Sequence, residues 1–186
     1  MELHIKNMVC NRCKMVVKAE LEKLGFNPIR VELGEVVLPE NISQEEKIKI
    51  EKHLSLFGFA LLEDKKTQIA EQIKTSIINL VHYLKDPLKI NLSTYLSEEL
   101  HLEYPHLSSI FSEVEDQTIE KYFIAQKIEK AKEMLTYGEL TLSEIAFQLN
   151  YSSVAHLSAQ FKKVTGTTPS AYKSVTSDKR KTLDEI

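Results

Sequence analysis

The sequence of 186 residues contains only two cysteines, no long apolar run and no excess of positive charge. Two cysteines cannot build the framework of a disulfide-stabilised small protein. The longest apolar stretches, such as residues 59–62, fall far short of the ~20 residues that cross a bilayer. The net charge of −3 at pH 7 argues against a strongly basic nucleic-acid-binding protein. With 42% hydrophobic and 27% charged residues, the composition is that of an ordinary globular protein.

Other absences concern targeting and catalysis. The first residues lack the charged segment and apolar core of a signal peptide, so we expect a cytoplasmic protein without a membrane partner. No nucleophile with a neighbouring base, no phosphate-binding loop and no pair of carboxylates stands out, so we expect a protein that is not an enzyme. The length allows one medium domain or two small ones.

Residues 1–64 alternate between strand and helix patterns. Leu3 and Ile5 alternate with polar residues, which predicts a half-buried strand, and further strands are predicted near residues 29–33, 36–38 and 59–63. Helical spacing predicts two helices, one ending at Gly25 and one with Ile50, Leu54 and Phe57 on its buried face. A capping box of Ser43 and Glu46 opens the second helix. This order predicts a βαββαβ ferredoxin-like domain in an α+β protein.

Residues 65–186 contain no convincing strand, which predicts an all-α second domain. Apolar spacing predicts a connecting helix over about residues 66–85, ended by Asp86-Pro87. The boundary at residues 64–66 is charged and lacks proline and glycine, so we expect a short link or a continuous helix there.

The second half repeats itself with an offset of 50 residues. Leu107-Ser108-Ser109-Ile110-Phe111 parallels Leu157-Ser158-Ala159-Gln160-Phe161, and each phenylalanine is followed eleven positions later by a tyrosine. Each copy is predicted to form a helix, a short turn and a second helix. The helix over residues 122–135 is predicted to be a rigid spacer with Ile124, Ile128, Ala131 and Leu135 facing inward.

Local signals in the second copy define its turn. Thr141 and Glu144 form a second capping box, and Asn150 suits the left-handed conformation of a tight turn. Ser152 or Ser153 is expected to cap the next helix. Its predicted buried residues are Val154, Leu157, Phe161 and Val164. Apolar stripes alone fit equally a helical bundle with no nucleic-acid partner.

Specific motifs identify the repeat. Ile145-Ala146, Asn150-Tyr151, Ser153, Leu157, Phe161-Lys162-Lys163, Thr165-Gly166, Pro169 and Tyr172-Lys173 occur in the order and spacing of the signature of AraC/XylS-type transcription regulators. Residues 88–173 thus resemble the DNA-binding domain of that family. The resemblance implies two helix-turn-helix units joined by a linker helix, whose second helices enter successive major grooves. It implies double-stranded DNA as a sequence-specific, salt-sensitive partner, with RNA polymerase as a further candidate partner.

The resemblance also assigns the two recognition helices to about residues 105–113 and 153–163. The implied DNA-contacting residues are His106, Ser109, Ser112, Ser153, His156, Ala159, Gln160, Lys162, Lys163 and Lys173. Gln160 is expected to pair with adenine, serine with several bases, and histidine with a base or a phosphate. Lysines offset the charge of the DNA backbone.

The first unit departs from the family pattern. The family often has Arg at positions 109 and 159, Lys at position 112 and Gly at position 116, where this chain has Ser, Ala, Ser and Asp. The first recognition helix has no basic residue, and residues 88–186 contain 11 Lys and Arg against 14 Asp and Glu. We therefore expect DNA binding that depends mainly on the second unit. The alternative is a degenerate helix-turn-helix that binds protein.

Both cysteines lie in one short motif. Met8-Val9-Cys10-Asn11-Arg12-Cys13 follows the first predicted strand, and two thiolates separated by two residues can face one ion. Soft thiolates favour Cu(I) and, less well here, Zn(II), because a tetrahedral zinc site needs four ligands. The helix N-terminus and the neighbours Arg12 and Lys14 are expected to lower the pKa of the thiols.

This motif resembles the M-x-C-x-x-C loop of the heavy-metal-associated domain, which implies Cys10 and Cys13 as metal ligands and residues 1–64 as the domain. Met8 is expected to be a buried anchor, and His4 and His53 to be solvated. The commonest family loop has Gly and Thr where this chain has Asn7 and Val9. A redox dithiol and two incidental thiols are the alternatives for the cysteine pair.

The leading hypothesis is a one-component transcription regulator. Its first domain binds or senses a soft metal, its second domain binds DNA, and the connecting helix passes the signal. The alternatives are a metal carrier or buffer whose helical half binds protein, and a thiol oxidoreductase.

Overall fold

The computed structural model of the protein describes residues 1–84 and 89–174. The chain divides into two compact units, Met1–Thr75 and Ser76–Ile186, and the division falls inside a helix. No helix in the described residues combines the length and apolar character needed to cross a membrane.

The first unit contains a four-stranded antiparallel sheet and two helices that precede the dividing helix. In chain order these elements are β1 (Glu2–Lys6), α1 (Asn11–Lys23), β2 (Arg30–Glu32), β3 (Glu35–Val37), α2 (Gln44–Ser55) and β4 (Ala60–Leu62). The sheet order is β2-β3-β1-β4, so the first strand lies in the middle of the sheet. Leu3 pairs with Val36 and Ile5 with Leu61. The strands and helices predicted from the hydrophobic pattern therefore all form, and β2 and β4 are shorter than the pattern indicated.

Alternating residues of β1 and the inward faces of α1 and α2 form one core. The core side chains are Leu3, Ile5, Met8, Val17, Leu21, Val36, Leu38, Ile50, Leu54 and Phe59. Ser43 and Glu46 form the predicted capping box of α2. The expectation that Phe57 is buried is wrong, since α2 ends at Ser55 and the side chain of Phe57 is 47% exposed in the turn that follows.

The helix in which the two units divide is α3 (Lys65–Ile78), followed by a π-helical turn at Asn79–Tyr83. Leu84 closes this turn by donating its N–H to Asn79 O (3.1 Å), and its own backbone is extended. The connecting helix predicted over residues 66–85 thus changes its hydrogen-bonding pattern at Asn79. Asp86-Pro87, the predicted stop signal, lies outside the described residues.

The described part of the second unit is helical. Its helices are α4 (Leu92–Leu100), α5 (Tyr104–Glu115), α6 (Ile119–Tyr137), α7 (Leu142–Gln148), α8 (Val154–Thr165) and α9 (Pro169–Ser174). The long helix α6 packs against α5, α7, α8 and α9. Ile128, Ala131 and Leu135 of α6 are buried and Ile124 is half-buried, as its predicted role as a spacer requires.

The internal repeat is visible in the packing of aromatic rings. Phe111 contacts Tyr122 with ring centroids 5.7 Å apart, and Phe161 contacts Tyr172 at 5.5 Å. In both copies the second helix ends at a residue with left-handed backbone, Asp116 (φ 51°) and Gly166 (φ 79°). The two halves are therefore built in the same way.

One predicted core position of α8 is exposed. Val164 was expected to continue the stripe of Leu157 and Phe161, but 48% of its side chain is accessible. The neighbouring Thr165 is half-buried instead, and its hydroxyl donates to Phe161 O at 2.8 Å. The last turn of the helix thus presents Val164 to solvent.

Candidate nucleic-acid interface and thiol pair

The turn between α7 and α8 is defined by local hydrogen bonds. Thr141 and Glu144 form the predicted capping box at the start of α7. Asn150 takes the expected left-handed conformation (φ 55°), and Tyr151 N–H then donates to Ala146 O at 2.8 Å. Of the two candidate caps, Ser153 is the one that starts α8, because its Oγ accepts from His156 N–H at 3.1 Å.

The outer face of α8 carries the residues predicted for its groove contacts. His156, Ala159, Lys162 and Lys163 are exposed, and Ser153 is exposed at the N-terminal cap. Lys173 is exposed on α9. Leu157 and Phe161 are the buried residues of α8. Its exposed surface therefore combines polar groups with two lysines in the last turn.

Gln160 differs from its neighbours because it is half-buried and bound to another side chain. Its Oε1 accepts a hydrogen bond from the hydroxyl of Tyr151 at 2.6 Å. The ring of Tyr151 also meets the ring of His156 edge-on, with centroids 5.3 Å apart. Ser152 Oγ lies 3.1 Å from His156 Nδ1. The turn and the recognition helix are thus connected by a small polar cluster.

Sequence reasoning missed the lysine beneath this cluster. Lys127 of α6 is only 8% exposed, and its Nζ lies 3.7 Å from the ring centroid of Tyr151 and 5.2 Å from that of Phe123. Burial lowers the pKa of Lys127 to about 8. Helical spacing contained the signal, because position 127 lies three residues after Ile124 and four before Ala131, on the inward face of α6.

The predicted first recognition helix, α5, has a different surface. His106, Ser109 and Ser112 are exposed as predicted, and the helix contains no lysine or arginine. Exposed Glu103, Glu113 and Asp116 flank them, as does the half-buried Glu115. The hydroxyl of Tyr104, at the start of α5, donates to the carboxylate of Glu120, and this bond lowers the pKa of Glu120. The lysines of the two predicted recognition helices therefore lie on α8 alone.

The two cysteines meet at the start of α1. Cys10 is the N-terminal cap residue and Cys13 lies in the first turn, and their Sγ atoms are 3.4 Å apart. Both are free thiols of intermediate exposure. Met8 is fully buried among the core residues, in agreement with its expected role as an anchor.

The loop before the cysteines is held from both sides. Asn7 has left-handed backbone (φ 71°), the conformation that glycine adopts most easily. Its N–H donates to Glu71 Oε1 of α3, and its Nδ2 donates to Gly58 O, both at 2.9 Å. Asn7 thus adopts a backbone conformation that favours glycine, and the hydrogen bond of its side chain to Gly58 O helps to hold it there.

Two expectations for this site are wrong. Burial raises the pKa of the Cys13 thiol, whereas the helix terminus and nearby cations were expected to lower it. Lys14, one of those cations, is paired with Glu32 at 2.8 Å. His53 is not a solvated histidine, because its Nε2 lies 2.7 Å from Glu20 Oε2 in a half-buried contact.

Comparison with known proteins addresses the helical unit. A family model described as "Helix-turn-helix domain" matches residues 96–174. The C-terminal domain of AraT, a response regulator from Geobacillus stearothermophilus, is 22% identical and superposes with a TM-score of 0.51 over 63% of this chain and 95% of that domain. Residues 96–174 therefore match a helix-turn-helix domain, and the chain shares the fold of the AraT domain.

Two curated proteins that the chain resembles are regulators by name. The chain is 25% identical over 119 residues to the "Xylose operon regulatory protein" of Escherichia coli strain K12, over 63% of this chain and 30% of that protein. It is 33% identical over 113 residues to an uncharacterized HTH-type transcriptional regulator of Staphylococcus aureus strain MSSA476, over 61% of this chain and 14% of the relative. The chain thus spans less than a third of these relatives.

The match to the helix-turn-helix domain begins at residue 96, and the thiol pair lies outside it. In the described residues, no group of three or more His, Cys, Asp and Glu is placed to hold an ion. Thiolate–metal bonds of about 2.3 Å allow two sulfurs 3.4 Å apart to share one ion. Two soft donors fit Cu(I) and leave a zinc site incomplete.

Proposed function

We infer that the chain is a DNA-binding transcription regulator that contacts two successive major grooves through α5 and α8. The observation that supports this most strongly is the duplicated build of the helical unit. Two helix-turn-helix units share their aromatic contact and their helix ends, and each presents an exposed polar face on its second helix. A single chain with two such helices can bind two half-sites without forming a dimer.

The proposed binding is unequal between the two units. Lys162 and Lys163 of α8, with Lys173 of α9, provide the cations that offset phosphate charge. His106, Ser109 and Ser112 of α5 offer only uncharged hydrogen-bonding groups among acidic neighbours. Affinity for DNA should therefore come mainly from α8 and decrease steeply with salt.

The test is a titration of the full chain with labelled genomic DNA fragments at low and moderate salt. The double variant Lys162→Gln/Lys163→Gln should bind more weakly, and its log–log salt slope should be smaller by about 2. Lys49→Gln/Lys52→Gln, which removes two exposed lysines from α2, is the matched control and should bind like the unmodified chain. If the folded chain retains no DNA even at low salt, the proposed function is wrong.

We also propose that residues 1–64 are a ferredoxin-like domain that holds a soft metal ion through Cys10 and Cys13. The strand order β2-β3-β1-β4 and the alternation of strands and helices support this fold. The Sγ–Sγ distance of 3.4 Å supports a shared ion. Because the pKa of Cys13 is raised, metal binding must displace a thiol proton and should weaken as pH falls.

The metal proposal is tested by Cu(I) uptake against a competing chelator. The unmodified chain should retain about one Cu(I), and the variant Cys10→Ser/Cys13→Ser should retain none. Met8→Leu is the control, because Met8 is buried and is not expected to be a ligand. Equal uptake by the unmodified chain and the double serine variant would eliminate the site.

A metal carrier whose helical unit binds protein is the second candidate, and the acidic surroundings of α5 favour it. A pull-down that returns a protein partner from a lysate, together with no DNA binding, would select this alternative. RNA polymerase as a further partner and a cytoplasmic location follow only from the regulator proposal.

A further inference from the structure

We propose that Tyr151 determines which bases Gln160 can read, by holding the carbonyl oxygen of Gln160 against the protein. This inference rests on the proposed DNA binding. It adds a prediction of which bases Gln160 of α8 prefers. It assigns a positioning role to Tyr151, a residue of the turn, and to Lys127, a residue of the linker helix α6.

The first step is the direction in which the Gln160 amide points. Tyr151 is buried, and its hydroxyl donates to Gln160 Oε1 at 2.6 Å. The oxygen of the planar amide is therefore turned toward the turn before α8. In the described residues no acceptor is bound to Gln160 Nε2, so the nitrogen is the polar atom left on the side away from Tyr151.

The second step is the polarity of this hydrogen bond. A phenol hydroxyl can donate or accept, and a reversed bond would turn the amide around. The ammonium of Lys127 lies 3.7 Å from the centroid of the Tyr151 ring. A cation over the ring face draws electron density from the phenol and makes its O–H a stronger donor. Lys127 thus favours the arrangement in which Gln160 accepts through its oxygen.

The third step relates the amide to the base edges. Glutamine recognises adenine by accepting from N6 and donating to N7, which requires both the oxygen and the nitrogen at the base. With its oxygen held by Tyr151, Gln160 offers only N–H donors. In the major groove, guanine presents two acceptors and thymine presents O4. Adenine places the donor N6 beside its acceptor N7, and cytosine presents a donor, so both meet an N–H group less well. Gln160 should therefore prefer guanine or thymine at its position.

The experiment selects bound sequences from a randomised DNA pool with the full chain and three variants. Gln160→Ala identifies the base position that Gln160 reads, because the preference there should disappear. Tyr151→Phe keeps the buried ring and removes the hydroxyl. Tyr122→Phe removes the hydroxyl of another buried tyrosine, in the first copy of the repeat, and is the matched control.

The expected result has two parts. The position identified by Gln160→Ala should favour guanine or thymine in the unmodified chain. In Tyr151→Phe the freed oxygen should allow the two-bond contact, so that adenine gains about tenfold relative to guanine and thymine. Tyr122→Phe should leave that position unchanged.

Three results would overturn the proposal. These are an adenine preference at that position in the unmodified chain, an unchanged base ratio in Tyr151→Phe, and no altered position in Gln160→Ala. Failure of the regulator proposal is distinguished from these, because the folded unmodified chain would then enrich no sequence at all, and this inference would fall with it.

Discussion

Lys127 places a positive charge in the interior of the helical unit, and the pKa of this one residue makes the stability of the fold depend on pH. Its neighbours are aromatic rings, so burial is the cause that lowers its pKa to about 8. An unfolded lysine has a pKa near 10.4. Between about pH 8 and 10 the folded chain has therefore released a proton that the unfolded chain still holds, and stability rises with pH in this range.

We expect Lys127→Met to be more stable than the unmodified chain at pH 7, by about 1–2 kcal/mol. The substitution removes a buried charge, and the methionine side chain has a volume similar to that of lysine. The difference should shrink as pH rises to 10, where Lys127 is already neutral in the folded state. Urea unfolding at several pH values measures this. The control is Lys130→Met, which changes a lysine of the same helix that is paired with Glu133. Its difference in stability from the unmodified chain should not shrink between pH 7 and 10. A gap that stays constant with pH would contradict the assignment.

For single residues, the sequence predicts exposure but not contacts between separate elements. The exposure of His156, Ala159 and Lys163 could be predicted, because it follows from helical periodicity alone. The pairing of His53 with Glu20 and the raised pKa of Cys13 depend on contacts between separate elements and on burial. Neither has a signal in the local pattern.

At the scale of elements, the helix starts were predictable because their signals are local. Ser43 with Glu46 and Thr141 with Glu144 form capping boxes across only three residues each. The change from α3 to a π-helical turn at Asn79 had no such signal, since the apolar spacing of residues 69–80 fits a regular helix equally well. The strands were predicted in number and order, but not their ends, because the ends are set by pairing with neighbouring strands.

Thr141→Ala should destabilise the helical unit by about 1 kcal/mol, because α7 has only seven residues and loses its cap. The hydrogen bond from Thr141 lowers the pKa of Glu144, so its contribution is present above pH 4.5 and is lost as pH falls through the lowered pKa. Chemical unfolding at pH 7 and pH 3 should show the cost of the variant at neutral pH and a smaller cost in acid. Ser143→Ala, an exposed neighbour outside the cap, is the control, and an equal loss there would refute the role of the cap.

At the scale of the whole molecule, charge is distributed unevenly around a net value of −3. Acidic residues surround α5, whereas the basic last turn of α8 faces solvent. The helix-turn-helix domain was identifiable from sequence because its motif combines many residues at fixed spacing. The metal site and the DNA contacts stay predictions, because side-chain positions define a surface without naming its ligand.

A regulator that senses metal must bind DNA differently with and without the ion, since the two binding equilibria are linked. Asn7, three residues before Cys10, is bonded to Glu71 of α3, which gives the loop a contact on the helix that continues to Ile78. We expect Cu(I) to shift the DNA-binding midpoint by about 5-fold or more, the usual range of such coupling. Gel shifts with and without Cu(I) measure this, and Cys10→Ser/Cys13→Ser should show no shift. Identical midpoints for the unmodified chain would exclude metal control of DNA binding.

The matched aromatic pairs, Phe111 with Tyr122 and Phe161 with Tyr172, have a consequence for how the protein can change over generations. Each pair lies on the inward side of its unit, whereas the residues that differ between the copies at positions 109 and 159 and at positions 112 and 162 lie outside. Substitutions on the outer face leave the cores intact, so the two halves of a duplicated ancestor could diverge in base preference without refolding. If the outer residues of α8 are grafted onto α5, the chain should accordingly bind the same short base sequence in both half-sites.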